Sequence, residues 1–324
     1  MIYEIKLKIK DYAELSIYTN SEKLKSKLTE ANSSIMRTIP ITSVTSSLVP
    51  VSNVNYSDAI IINDGDKKSM HYDKEYNVSI LTANENEIRF PDIVYIALSM
   101  FSKILARNEK YLLHSSSLMH SSNNGFVLVG DANAGKTSLA YELMSKHNCK
   151  LISNDHSVIG MENGKPMILG GTKEIQMRLG AIELYFPELY EKINMTTEDK
   201  WNKKIVVNEH IDPSLILDSS NDKAPLTNVF SISTAGNGDS FIRPKDRIDE
   251  FLFMYESMSK IVKGTYNYIT GFDYPMPSME DEQTLFQLSN LCKTITEECE
   301  VSEAKGSVNG LAKVLVKRIW VIKR

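Results

Sequence analysis

Residues 130–137 read Gly-Asp-Ala-Asn-Ala-Gly-Lys-Thr. This is the G-x-x-x-x-G-K-[ST] spacing of a phosphate-binding loop, and each part of it has a physical reason. Gly130 and Gly135 let the backbone curl tightly and aim its N–H groups inward. Between them lie Asp131, Ala132, Asn133 and Ala134, and Ser138 follows Thr137. A helix starting at Lys136 would turn its positive end towards the phosphates. Lys136 would reach the β- and γ-phosphates, and the Thr137 hydroxyl would ligate Mg²⁺. A second element fits the first. Leu151-Ile152-Ser153-Asn154-Asp155 is a short apolar strand pattern ending in an acid, nineteen residues after Lys136. A carboxylate fixed at a strand end is what a Mg²⁺ site beside a phosphate loop needs, so Asp155 is the second metal candidate.

Other side chains could take part. His114 precedes the loop by one strand pattern, and His156 adjoins Asp155. Both are candidate catalytic groups beside Lys136 and Asp155. His120 and His147 read as surface residues. Arg178, Arg243 and Arg247 are basic side chains that could reach phosphate, although most lone arginines are simply solvated.

The elements that must position these groups follow from hydrophobic patterning. Gly125-Phe126-Val127-Leu128-Val129 is a continuous apolar run, the signature of a strand buried on both faces. A helix is predicted from Lys136 to Lys146 and a strand over Lys150–Ser153. Asn163-Gly164 between two apolar runs marks a hairpin. Helices are predicted near Pro187–Ile193, Asp249–Val262 and Asp281–Leu291. Leu311–Ile319 is an apolar-basic stretch of open type. Upstream, Tyr3, Ile5, Leu7 and Ile9 share one parity, as in a half-buried strand. Ser21–Glu30 reads as a short polar helix, and residues 38–57 read as strand and loop. Ala59–Ile62 and Tyr76–Leu81 read as strands. Pro91-Asp92 opens a helix whose apolar face is Ile93, Ile96, Ala97, Met100, Phe101 and Ile104. The domain expectation is a small, mostly β unit over 1–90, a bridging helix over 91–110, and an α/β catalytic domain over 111–324. That domain is expected to be a mixed sheet with flanking helices.

Composition narrows the function class. The 324 residues carry 37 Lys and Arg against 41 Asp and Glu, a net charge of −4. Mild acidity argues against a broad nucleic-acid surface. Cys149, Cys292 and Cys299 are an odd, scattered set, which fits a reducing compartment and no disulfide framework. No apolar run of about 18 residues is present, so no membrane span is expected. The N-terminus lacks a signal-peptide pattern. Together these read as a cytoplasmic protein. The basic end, with Lys313, Lys317, Arg318, Lys323 and Arg324, reads as a solvated helix or edge strand rather than a membrane anchor.

The order Leu113-His114, strand, GDANAGKT, helix, then LIS followed by Asn154-Asp155 resembles the catalytic domain of the HPr kinase/phosphorylase family. It also resembles the shorter kinases of that group that act on precursor peptides, including lasso peptides. Gly171-Thr172 through Arg178 is similar to a downstream segment of those proteins. The resemblance is concentrated over 110–180. It implies a P-loop kinase core related to phosphoenolpyruvate carboxykinase, ATP and Mg²⁺, and transfer to a serine hydroxyl. In that family the first Asp of a pair is tied to proton transfer and the second to the metal. Asn154 stands at the first position here and cannot take a proton, while Asp155 matches the second. His114 matches the family histidine near the phosphates. Because the family forms oligomers, the resemblance also implies self-association.

The leading expectation is therefore a phosphotransferase acting on Ser or Thr of a peptide or protein, with a small hydroxyl compound as the next acceptor. The N-terminal unit is the natural place to grip a peptide. A reading of another class is a nucleotide-binding regulatory module without catalysis, which Asn154 favours. An ATPase or GTPase switch is weaker, because no Asn-Lys-x-Asp motif follows the loop.

Overall fold

The computed structural model describes the chain except residues 31–33, 121–122, 219, 235–238, 265–267 and 322–324, together with the side chains of 320 and 321. Lys323 and Arg324 of the basic end lie outside the described residues. The fold is mixed α/β. By packing, the chain divides into two units: 1–112 with 255–290, and 113–254 with 291–324.

The first unit holds strands β1 (Ile2–Ile9), β2 (Ala13–Thr19), β3 (Ser43–Val49), β4 (Ala59–Asn63), β5 (Ser69–Asp73) and β6 (Val78–Thr82). They form one sheet in the order β3-β1-β2-β4-β6-β5. The strand β1 pairs antiparallel with β2 and β3, whereas β2, β4 and β6 run parallel. Ile5, Leu7 and Ile9 are buried, as their shared parity requires. Helix α1 (Glu22–Thr29) is capped by the Ser21 side chain, which accepts from the Leu24 N–H. It buries Leu24 and Leu28. Helix α2 (Ser34–Thr38) is short. Helix α3 (Phe90–Arg107) has its proline in the first turn and buries Ile93, Ile96, Ala97, Met100, Phe101 and Ile104. It groups with the residues before it, and 255–290 return to the same unit.

The second unit carries the strands named by the motif. In chain order these elements are β7 (Lys110–Met119), β8 (Gly125–Val129), α4 (Lys136–His147), β9 (Lys150–Ser153), β10 (His156–Glu162), β11 (Lys165–Gly171), β12 (Gln176–Arg178), α5 (Leu179–Tyr185), α6 (Pro187–Ile193), β13 (Lys204–Val206), β14 (Ala224–Thr234), β15 (Phe241–Pro244), α7 (Arg247–Lys263), β16 (Tyr268–Ile269), β17 (Tyr274–Pro275), α8 (Glu282–Glu298), β18 (Glu300–Gly306) and α9 (Val308–Val321). Helices α7 and α8 each have residues in both units, β16 and β17 belong to the first, and β7 begins there. The main sheet runs β11-β10-β7-β8-β14-β18-β15, with β9 paired to β7. Its centre, β8-β14-β18, is parallel, and β7 is antiparallel to β8. All five residues of β8 are buried, which explains its unbroken apolar run. Leu139 and Leu143 of α4 and Leu311 and Leu315 of α9 pack with Leu128 and Phe230 in one core. Asn163 and Gly164 join β10 to β11 with φ of 52° and 74°, the paired positive values of a type I′ turn.

One expectation about a single residue changes, and one stretch left open takes a definite form. His120 is buried, not on the surface. Its N–H donates to the Asn124 carbonyl and its carbonyl accepts the Asn123 N–H, which ties it into the β7–β8 connection. The Leu311–Ile319 stretch is helical and one-sided: Leu311, Ala312, Leu315 and Ile319 are buried. Among the described residues no helix is long and apolar enough to cross a membrane.

Cys149, Cys292 and Cys299 are free and buried. Burial pushes each thiol up to about 12 from the usual 9.0. An unfolded chain would ionise these thiols from about pH 9, while the folded chain keeps the protons. This contribution to stability is therefore present below the unfolded value and lost as pH rises towards the folded one. A chromogenic disulfide reagent at about pH 8.5 should find no reactive thiol in the native protein and all three after urea unfolding.

Candidate functional site

Strand register brings the distant motifs together. β7 is antiparallel to β8, with Ser115 opposite Val129, so the start of β7 lies beside the end of β8, where the loop begins. β9 is antiparallel to β7, with Ser117 opposite Ser153. Residues 154 and 155 therefore continue past Ser116 and Ser115, and the Ser115 N–H donates to the Asp155 carbonyl at 3.1 Å. Alternation along β7 then puts His114 and Ser116 on one face and Ser115 and Ser117 on the other.

The loop 130–135 links β8 to α4. Gly135 has φ of +88°, a left-handed value, and an added Cβ would lie 2.0 Å from Thr234 Oγ1. Glycine is required there on both counts. Thr234, at the end of β14, holds the loop by donating from its N–H and its hydroxyl to the Ala134 carbonyl, at 2.9 and 3.0 Å. No side chain caps α4, so its N-terminal dipole faces the loop. Lys136 is buried and donates to the carbonyls of Gly130 and Asp131 at 2.8 and 3.1 Å. Asp131, Ala132 and Asn133 form an exposed lip.

Asn154 is a buried hub. Its Oδ1 accepts from Thr137 Oγ1 at 3.2 Å and from Ser116 Oγ at 2.8 Å. Its Nδ2 donates to the Glu174 carbonyl at 3.0 Å. Because Thr137 gives its proton to Asn154, the lone pairs of that hydroxyl remain available to another partner.

Asp155 sits at the centre of a three-residue turn closed by the His156 N–H on the Asn154 carbonyl at 3.0 Å. Its φ of +72° matches the rare γ-turn, a conformation costing about 1–3 kcal/mol that surrounding contacts must impose. Thr172 imposes it. Its carbonyl accepts the Asn154 N–H at 2.7 Å, its N–H donates to the His156 carbonyl at 3.0 Å, and its hydroxyl accepts the His156 N–H at 3.1 Å.

The turn projects the Asp155 carboxylate between two imidazoles. His114 Nε2 lies 3.3 Å from Oδ1, and His156 Nδ1 lies 3.4 Å from Oδ2. The second contact is close but not aligned as a hydrogen bond. The two rings stack with centroids 5.5 Å apart. Asp155 keeps 45% of its side-chain surface and His114 keeps 32%, whereas His156 keeps 9%.

Burial would raise the Asp155 carboxyl. The charge of His156 and the close approach of both imidazoles outweigh it and hold the carboxyl well below its usual range. For His114, the bond to Asp155 raises the imidazole, but burial and the charges of Lys136 and His156 prevail, so the net shift is downward from 6.5. Near neutral pH the pair is an ionised aspartate accepting from a neutral His114.

Of the residues singled out by sequence, the structure gathers His114, Thr137, Asp155 and His156 around the ends of β7, β8 and β9, with Lys136 among the charges felt by His114. Arg178 joins the loop by donating to Asn133 Oδ1 at 3.1 Å and also bonds the Trp201 carbonyl. Arg243 does not join: it makes an exposed ion pair with Glu303 at 2.8 Å. Arg247 starts α7 as an exposed residue. Ser116, Thr172 and Thr234 were missed. Ser116 had a signal, since it lies two residues after His114 on a strand and so shares its face.

Thr137 and Asp155 are oxygen donors of the kind Mg²⁺ takes, and one or two protein ligands suffice when phosphates supply the rest. Among the described residues no group of three or more His, Cys, Asp or Glu is placed to hold a metal alone.

Two expectations follow. Asn154→Asp replaces a donor with a carboxylate facing the Glu174 carbonyl, so it should cost about 1–3 kcal/mol in urea denaturation. The second concerns acid. His114 stays neutral where the unfolded chain would bind a proton, so its contribution is present above 6.5 and lost as pH falls through that value towards the folded one. Asp155 acts in the same sense at lower pH, its contribution being lost below 3.8. The urea midpoint should fall between about pH 7.5 and 5.5, and His114→Gln should flatten that slope.

No family model and no curated protein matches the chain. Among solved structures, it is similar to the Hpr(Ser) kinase/phosphatase from Coxiella burnetii at 11% identity and a TM-score of 0.32, covering 65% of this chain and 95% of that one.

Proposed function

We propose that the chain is an ATP-dependent phosphotransferase that moves the γ-phosphoryl group to a Ser or Thr hydroxyl of a peptide or protein. The observation that carries this reading is one arrangement. A glycine loop at the uncapped N-terminus of α4 lies next to Lys136, and the exposed carboxylate of Asp155 stands on a strained turn at the end of the neighbouring strand. Strain held in place by Thr172 marks a site that needs that carboxylate at that point.

In this reading the backbone of Gly130–Gly135 and the first turn of α4, including Ser138, cradle the triphosphate. Lys136 exchanges its loop carbonyls for phosphate oxygens. Thr137 and Asp155 would hold Mg²⁺, which would neutralise phosphate charge. Asn154 supplies no base. Its role is to accept the Thr137 hydroxyl hydrogen bond, which leaves the hydroxyl lone pairs available as a metal donor. The Asp155 carboxylate orients the acceptor hydroxyl, and His114 fixes its Oδ1 edge through Nε2. Phosphoryl transfer needs positioning and charge neutralisation more than a strong base, so an ionised aspartate of low basicity suffices. His156, nearly buried, holds the other edge of the carboxylate. The resemblance of His114, GDANAGKT and Asn154-Asp155 to the HPr kinase group supports the P-loop kinase core and a peptide acceptor.

One observation favours a second reading. Asn154 occupies the base position of that group and has its amide committed to three hydrogen bonds. A nucleotide-binding module without transfer would show this too.

The test is mass spectrometry after incubation with Mg-ATP and Ser- or Thr-containing peptides, with Lys136→Ala and Asp155→Asn alongside. Addition of one phosphate to a peptide is expected with the wild type, and Asp155→Asn should lower the rate by about 10²–10⁴. Tight ATP binding with no transfer to peptide, small alcohol or water would establish the binding module instead.

A further inference from the structure

The sheet of the first unit has two edges, β5 and β3, and they are built differently. β5 is five residues long, ends in Asp73 and is flanked by Asp66, Lys67, Lys68 and Lys74. Charges and shortness are the usual devices that stop an edge from pairing with another chain. β3 has neither. Its seven residues, Ser-Val-Thr-Ser-Ser-Leu-Val, hold no charge and no proline.

The side chains of β3 show what would pair with it. Val44, Ser46 and Leu48 lie opposite Leu7, Ile5 and Tyr3 of β1, so they share the face on which Ile5 and Leu7 are buried. At β3 that face reaches solvent: Leu48 is 56% exposed. The chain leaving the strand adds Val51 at 63% and Tyr56 at 59%. The apolar layer of the sheet therefore runs off its own edge.

A two-fold axis restricts how an antiparallel strand can pair with its own copy. Hydrogen-bonded and non-hydrogen-bonded pairs alternate, so symmetry requires one residue to sit opposite itself. Centring on Ser46 uses the whole strand. Val44 of one copy then faces Leu48 of the other, twice. Thr45 faces Ser47, twice, and Ser46 faces Ser46. Aliphatic pairs and hydroxyl pairs are both favourable across strands, and no like charges meet. The pairing would run about 24 Å at ~3.4 Å per residue. Centring on Thr45 or Ser47 instead would set Val44 or Leu48 opposite serine.

We propose that β3 is a self-association edge, on which two copies of this chain pair antiparallel about a two-fold axis at Ser46 into one continuous sheet. The occupant is a second copy because the two-fold register sets aliphatic against aliphatic and hydroxyl against hydroxyl with no charge on either strand. The proposal is independent of the phosphotransfer reading, since no residue of β3 belongs to that site.

Sedimentation of the full chain from roughly 1 to 100 µM tests it, beside Ser46→Lys and Ser46→Asp. Ser46 is exposed, so neither charge enters the core. The wild type should move with concentration towards twice the chain mass of 36.6 kDa. Each charged variant sets like charges face to face and should dimerise several-fold more weakly. An equimolar mixture of the two variants should recover dimers, because the introduced ammonium of one copy then meets the introduced carboxylate of the other. A wild type that stays monomeric throughout overturns the proposal, including one that instead takes up an extended Ser- or Thr-containing peptide. So do charged variants that dimerise as well as the wild type, or a mixture that remains monomeric.

Discussion

The candidate site depends on one buried amide. Asn154 joins four parts of the chain: the first turn of α4 through Thr137, β7 through Ser116, the end of β9 through its own backbone, and the segment before β12 through the Glu174 carbonyl. Each bond contributes only about 1 kcal/mol net, but a buried group left without its partner costs about 1–3 kcal/mol. The set is therefore satisfied together or not at all, which fixes the loop, the strand end and the turn in one geometry. An aspartate could accept from Thr137 and Ser116 but could not donate to Glu174. The asparagine is therefore the residue that meets all three demands of this junction.

The turn at Asp155 rests on this junction. A left-handed aspartate is tolerated because Thr172 bonds the residues on either side of it, and Thr172 follows directly on β11. Gly171 permits the approach: an added Cβ would lie 2.2 Å from the His156 carbonyl. Strain is thus spread over a sheet edge instead of residing in one flexible loop. The carboxylate that results is exposed, ionised and held between two imidazoles, which combines accessibility with a fixed direction.

Sequence reasoning reached the parts of this site that have local signatures. GDANAGKT carries its own geometric demands, and the buried strand and helix on either side follow from apolar patterning. The hairpin at Asn163-Gly164 and the proline-led start of α3 have the same character. What stayed hidden is non-local. Ser116 and Thr172 look like ordinary polar residues until register places them against Asn154 and Asp155. Burial of His120 depends on the β7–β8 connection, and the helix over Val308–Val321 depends on packing against α4, because its apolar residues alone suit strand or helix. The positive φ at Asp155 has no signature in the adjacent residues at all, since aspartate is compatible with either hand of turn.

Topology accounts for why such scattered residues meet. The central strands β8, β14 and β18 run parallel, and the loop 130–135 leaves the carboxyl end of β8 beside Thr234 at the carboxyl end of β14. That edge is where open α/β sheets place their ligands. A purely parallel sheet would put only strand ends and helix starts there. Inserting β7 antiparallel beside β8 brings the beginning of a strand to the same edge and with it His114 and Ser116. Pairing β9 antiparallel to β7 restores a carboxyl end next to them and delivers Asn154 and Asp155. One reversed strand thus lets a histidine that precedes the loop in sequence face an aspartate that follows it.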